Sequence, residues 1–149
     1  MTTLANDISI RFLGPKFDEG FLVQPSTAQT FYKGVPVMLD VSVSTTGVVT
    51  ADGVSVTTND VFVGIAEEKL AVVATDGPKY ISTIVWPSIV GFPSAVFTIA
   101  DLGKPVYAGT YTATGITLTA SAGTACRLGK LFTVKDGYAF IVVDAPYVH

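Results

Sequence analysis

Short runs of alternating apolar and polar residues, each broken by a turn within a few positions, dominate the chain. Ile8-Ser9-Ile10-Arg11-Phe12, Val54-Ser55-Val56-Thr57 and Ile116-Thr117-Leu118-Thr119 alternate with period two, which places every second side chain on one face of a strand. Asp52-Gly53, Asp76-Gly77 and Asp136-Gly137 fall between such runs, and Asp-Gly supplies the positive φ of tight hairpin turns. The clearest hairpin is C-terminal, where Leu131-Phe132-Thr133-Val134 and Tyr138-Ala139-Phe140-Ile141-Val142-Val143 flank Asp136-Gly137. No long window keeps the 3.6-residue period of an amphipathic helix. One helical turn is predicted at Thr98-Ile99-Ala100-Asp101-Leu102-Gly103, a capping Thr with Asp three residues later and a terminating Gly. Ala66 to Val73 is a second candidate for a short helix, weakened by the β-branched pair Val72-Val73. The pattern predicts an all-β fold of many short strands.

Composition sharpens this. The 149 residues suffice for one domain, or a domain plus an arm, with its own core. Val and Thr supply 21 and 19 positions, and both favour a pleated surface over a helix. Charged residues reach only 14% and hydrophobic ones 49%, which excludes a disordered chain. A net charge of −3 argues against generic binding to nucleic acid or to an anionic membrane. Ile81 to Ala100 carries no charge, but Pro87, Gly91 and Pro93 interrupt it and argue against a membrane span. Pro105 to Cys126 is also uncharged. So much uncharged sequence implies extensive contact with protein. The N-terminus lacks the basic start and apolar core of a signal peptide, so secretion is not expected.

Catalytic material is scarce. His149 is the only histidine and the last residue, and Cys126 is the only cysteine, so neither a zinc cluster nor a Ser-His-Asp arrangement is supported. Glycine-rich phosphate or dinucleotide motifs are missing from the sequence, and no cofactor, metal or enzymatic activity is expected. Asp18-Glu19 and Glu67-Glu68 are adjacent carboxylates. Neighbours on a strand point to opposite faces and cannot share a proton, so these read as solvated or Lys-screened. Cys126 reads as a buried, inert thiol. Trp86 and Phe92, each before a proline in the uncharged segment, are candidate subunit-interface or core anchors. Exposed, Trp and Tyr side chains would instead suit stacking on sugars, as in a receptor-binding or carbohydrate-binding module.

An internal echo organises the chain. Gly34-Val35-Pro36-Val37 is matched by Gly103-Lys104-Pro105-Val106, Thr46-Gly47-Val48-Val49 by Thr114-Gly115-Ile116-Thr117, and Gly64-Ile65 by Gly129-Lys130-Leu131. Each copy reads as a strand beginning at Gly-x-Pro, a turn at Thr-Gly and a return strand. Two such units packed together would form a small barrel or sandwich. Residues 1–28 precede the pattern and form either an arm or an ordinary first strand. As an arm, Ile8, Ile10 and Phe12 would fill pockets on a partner protein or a neighbouring copy, and deletion of residues 1–14 would leave the 29–149 domain folded.

The run Ala100-Asp101-Leu102-Gly103-Lys104-Pro105-Val106-Tyr107-Ala108, with Arg127-Leu128-Gly129-Lys130 and a terminal strand, resembles the head-decoration (cement) proteins of tailed phages. Gly34-Val35-Pro36-Val37 and Val61-Phe62-Val63-Gly64-Ile65-Ala66 are similar to the same family's preceding strands. The resemblance implies a small β-barrel or β-tulip-like fold and a structural protein made in the host cytoplasm. It also implies attachment to the major capsid protein on the outside of the virion, often as a homotrimer.

Overall fold

The computed structural model describes residues 4–23, 29–39, 48–50, 61–73, 75–121, 126–145 and 147–148. Its strands in chain order are β1 (Arg11–Leu13), β2 (Asp18–Val23), β3 (Gln29–Phe31), β4 (Pro36–Leu39) and β5 (Val48–Thr50). There follow β6 (Val61–Ala66), β7 (Leu70–Val72), β8 (Lys79–Ile84), β9 (Ile89–Pro93) and β10 (Pro105–Tyr111). The last are β11 (Ile116–Thr119), β12 (Arg127–Lys135), β13 (Tyr138–Val143) and β14 (Tyr147–Val148). The fold is all-β, as the period-two runs require. The helix considered for Ala66 to Val73 is not formed: β6 ends at Ala66 and β7 occupies Leu70–Val72, with the β-branched Val72 paired to Gln29 of β3. The capped turn at Thr98 is a single 3-10 turn, Ile99–Asp101.

The strands pair antiparallel into three sheets, none closed into a barrel. One runs β1-β9-β13-β12-β10-β11, the second β2-β8-β6-β4-β5 with β14 on β6, and the third is the β3-β7 ribbon. The second sheet curls until β5 approaches β2. A single hydrophobic cluster takes side chains from both large sheets, including Phe62, Ile65 and Ile81 from one and Phe92, Leu128 and Ile141 from the other. Each such fully buried side chain contributes about 1.5–3 kcal/mol. Met38 of β4 and Cys126, just before β12, meet across the two sheets with sulfur atoms 3.6 Å apart.

The internal echo is structural. β2-β8-β6-β4-β5 and β9-β13-β12-β10-β11 have the same connectivity and the same order. In the first half Gly34 N–H donates to Ala66 O (2.8 Å) and Ala66 N–H to Val35 O (2.9 Å). In the second, Gly103 N–H donates to Leu131 O (2.8 Å) and Leu131 N–H to Lys104 O (2.9 Å). Both pairs of strands then slip by one residue: Val37 faces Gly64 and Met38 faces Phe62, while Val106 faces Gly129 and Tyr107 faces Arg127. The extra residues, Val63 and Leu128, are buried. Each bulge is a single inserted residue that sharpens the local twist and bends the strand around the core. The Thr114-Gly115 turn joins β10 to β11, with Thr112 N–H donating to Gly115 O at 2.9 Å. Its counterpart at Thr46-Gly47, and the runs at Asp52-Gly53 and Val54 to Thr57, lie outside the described residues. Asp136-Gly137 closes the β12-β13 hairpin with φ of 54° and 79°, as a two-residue turn with both φ positive requires.

The N-terminal segment is paired within the chain. Arg11–Leu13 adds to β9 and Asp18–Val23 to β8. Ile8 is 2% exposed, and a side chain placed on Gly34 would come within 2.8 Å of its Cβ. Ile8 therefore belongs to the chain's own core and is not free to fill a pocket elsewhere. Ile10 packs partly buried against that core. Phe12 stands opposite the buried Val90 in the inward row, half-exposed because β1 is an edge strand.

Two expectations follow. Glycine is required at Gly64 and Gly129, where an added Cβ would lie 2.6 Å from Ile84 O and would collide with Val142 O respectively. Gly64→Ala or Gly129→Ala should lower stability by about 2–4 kcal/mol, read from urea unfolding midpoints. Deletion of residues 1–14 removes β1 and Ile8 and should lower stability by about 3 kcal/mol or more. A truncated chain that melts like the full one would refute that placement.

Candidate functional site

At one end of the six-stranded sheet the chain leaves β9 and crosses to β10 through the 3-10 turn. Thr98 caps this turn, its hydroxyl accepting from Ala100 N–H at 3.3 Å, while Asp101 Oδ2 accepts from Thr98 N–H at 2.9 Å. Ser94 N–H donates to Gly137 O (3.0 Å) and Gly103 N–H to Leu131 O (2.8 Å), tying the loop to the β12-β13 hairpin. So short a turn has no buried face, and its apolar residues stay in solvent. Ile99 is 81% exposed, with Val96 and Leu102 also exposed. Beside them β12 bulges a second time: Leu131 faces Ile141 and Thr133 faces Phe140. Phe132 is the extra residue and is 51% exposed. A bulge re-aims a side chain, here turning an aromatic outward. Two nearby charges neutralise each other: Lys104 Nζ donates to Asp101 Oδ1 at 3.0 Å.

The first half carries the opposite chemistry at the matching position. Two residues beyond the paired Gly positions stand Ala66 and Leu131, and next come Glu67 and Phe132. Glu67 pairs with Lys16 and accepts from the Ser82 hydroxyl at 2.7 Å. The Lys16 bond, then the Ser82 bond, hold the Glu67 carboxyl below its ordinary range. Asp101 is also lowered, first by Thr98 N–H and then by Lys104. Glu68, beside Glu67 in sequence, is exposed. Burial pushes the Cys126 thiol up to about 12, which leaves essentially no thiolate near neutrality.

The proposed anchors divide. Phe92 is 0% exposed in the core, because it lies on the inward row of β9 opposite Ala139; it is not available to another subunit. Trp86 is 63% exposed, in the β8-β9 connection, contrary to the burial expected from its uncharged surroundings. A separate groove of about 510 Å³ is lined by Asp7, Ser9, Thr112 and Thr114 together with Ile8, Pro93 and Ile116. Asp7 already accepts Lys33 N–H there at 3.0 Å. The exposure of Phe132 was not readable, because a bulge that shifts strand parity leaves no mark in the sequence. The exposure of Ile99 was readable in principle, since one capped turn cannot bury a face.

Among the described residues there is no group of three or more His, Cys, Asp or Glu placed to hold a metal. No helix among them is long and apolar enough to cross a membrane. No family model, curated protein or solved structure matches the chain.

The depressed Glu67 has a pH consequence. A carboxylate that binds its proton less readily when folded adds stability that is complete above the unfolded value near 4.5 and is lost as pH falls through the lower folded value. Melting temperature should therefore drop on acidification below about pH 4.5. Glu67→Gln should make that part of the profile flatter and should leave the region above it without a step.

Proposed function

We propose that the chain is a structural decoration (cement) protein, of β-tulip-like form, that binds the outer surface of a phage head through the major capsid protein and stabilises the shell as a trimer. The observation that carries this reading is the exposed apolar end of the β1-β9-β13-β12-β10-β11 sheet, Val96, Ile99, Leu102 and Phe132, beside which Lys104 and Asp101 pair with each other. Exposed apolar residues clustered on one loop cost solubility unless another protein covers them, and aromatic side chains anchor such contacts. The similarity of residues 100–108 and 127–130 to cement proteins supplies the shell as the partner. Closed cyclic symmetry hides such a surface without building filaments.

The test is co-sedimentation of the purified chain with capsids that lack it. Binding is expected at saturable stoichiometry. Phe132→Asp with Ile99→Asp should reduce it at least tenfold while leaving the melting temperature within a few degrees, as substitutions of exposed residues do. Wild-type protein that stays in the supernatant would overturn the reading. The exposure of Trp86 favours a second one, a virion-surface carbohydrate-binding module. Glycan-array binding that disappears in Trp86→Ala, without capsid association, would select it.

A further inference from the structure

The duplicated fold allows one half to be used as a guide to the other. Ile65 and Lys130, each following its bulge glycine, face Ile84 and Val142. Counting back along β8 and β13 makes Tyr80 the counterpart of Tyr138 and Ser82 that of Phe140. Gly20 faces Ser82 and Gly91 faces Phe140, so Asp18-Glu19-Gly20 of β2 corresponds to Ile89-Val90-Gly91 of β9.

In the second half this position is filled. β1 lies on β9 with Arg11 facing Gly91, Phe12 facing Val90 and Leu13 facing Ile89. The Arg11 guanidinium sits 4.2 Å from the centre of the Tyr138 ring, and the Tyr138 and Ser9 hydroxyls are 3.4 Å apart. Val90 and Gly91 are buried as a result. In the first half no described strand pairs with the same positions, although Asp18 lies beside Lys16 and Glu67. Asp18, Glu19 and Gly20 are all exposed, β2 pairs only with β8 among the described residues, and Tyr80 is 74% exposed beside the exposed Leu22. The two apolar positions that receive Phe12 and Leu13 in the second half are replaced by two carboxylates.

We propose that Asp18–Gly20 is an acceptor edge for an extended, arginine-bearing strand of another polypeptide. The incoming strand adds antiparallel to β2, as β1 does to β9. Its arginine lies opposite Gly20 with the guanidinium over the Tyr80 ring, and the next two residues are basic, meeting Glu19 and Asp18. Main-chain pairing supplies the attachment, and the cation–π contact and carboxylates supply the choice of partner. The chain's own Arg11-Phe12-Leu13 has the arginine but not the basic residues, and it is already engaged. The inference goes beyond the shell reading and is tested without capsids.

The experiment is a ¹H–¹⁵N NMR titration of the full chain with a six-residue peptide. The peptide copies Ser9–Gly14 but carries lysine in place of Phe12 and Leu13. The expected result is saturable shifts at the amides of Asp18, Glu19, Gly20 and Tyr80 with a dissociation constant of about 1 mM or tighter. Glutamine for the peptide's arginine, or Tyr80→Ala in the protein, should weaken binding about fivefold or more, and Tyr80→Phe should restore it because the ring and not the hydroxyl holds the cation. Tyr80 is exposed, so these variants leave the fold intact. Shifts confined to Ile89–Gly91, shifts unchanged in Tyr80→Ala, or no saturable shift at these amides would each overturn the proposal.

Discussion

The whole architecture depends on two places where one strand's backbone presses against its neighbour's carbonyl, at Gly64 under Ile84 and at Gly129 under Val142. The extra residues beside them, Val63 and Leu128, point into the core. The inserted residue therefore gains burial while the ladder loses one register step. Bending the sheet there is what allows strands from both halves to wrap a common apolar cluster. An alanine at either position would have to displace backbone, not a side chain that could swing aside.

Once both halves share that geometry, their differences become informative. The first half inserts the β3-β7 ribbon into its two connections, with Phe31 and Val72 buried beneath it. The second half replaces the ribbon with a 3-10 turn and a two-residue hairpin, and its apolar residues Ile99 and Leu102 are left in solvent. Conversely, the second half has the edge of β9 paired with β1, whereas the first half lacks a counterpart to it among the described residues. Hydrogen bonds also satisfy the hydroxyls of the buried residues Thr83 and Ser88. The Thr83 hydroxyl donates to Val63 O at 3.2 Å, and Ser88 Oγ accepts Phe17 N–H at 2.7 Å, so neither costs the desolvation of an unpaired polar group.

Much of this was legible in the residues. The β-branched composition, the Asp136-Gly137 hairpin, the capped turn at Thr98 and the repeated Gly-x-Pro all express local chemistry, and local chemistry is what a sequence displays. Other features were decided by tertiary contacts. Phe92 and Trp86 have similar surroundings in the sequence, yet one falls on the inward row of a ladder and the other in a connection. Ile8 precedes the regular strand and is buried because Gly34 leaves room for it. Phe132 sits in a strand whose inward–outward parity is broken by a bulge. The exposed surface was hidden from the sequence because exposure at these positions depends on register.

The sulfur contact between Cys126 and Met38 also bears on how the molecule can be handled. Its only thiol lies sealed between two sheets, protonated at any pH the fold would ordinarily meet. Maleimides and oxidants act on exposed thiolates, so the native chain offers them no target. A cysteine introduced at a solvent position would then be the sole reactive handle, and fluorophores, cargo or tethers could be attached at one chosen point without first removing the natural residue.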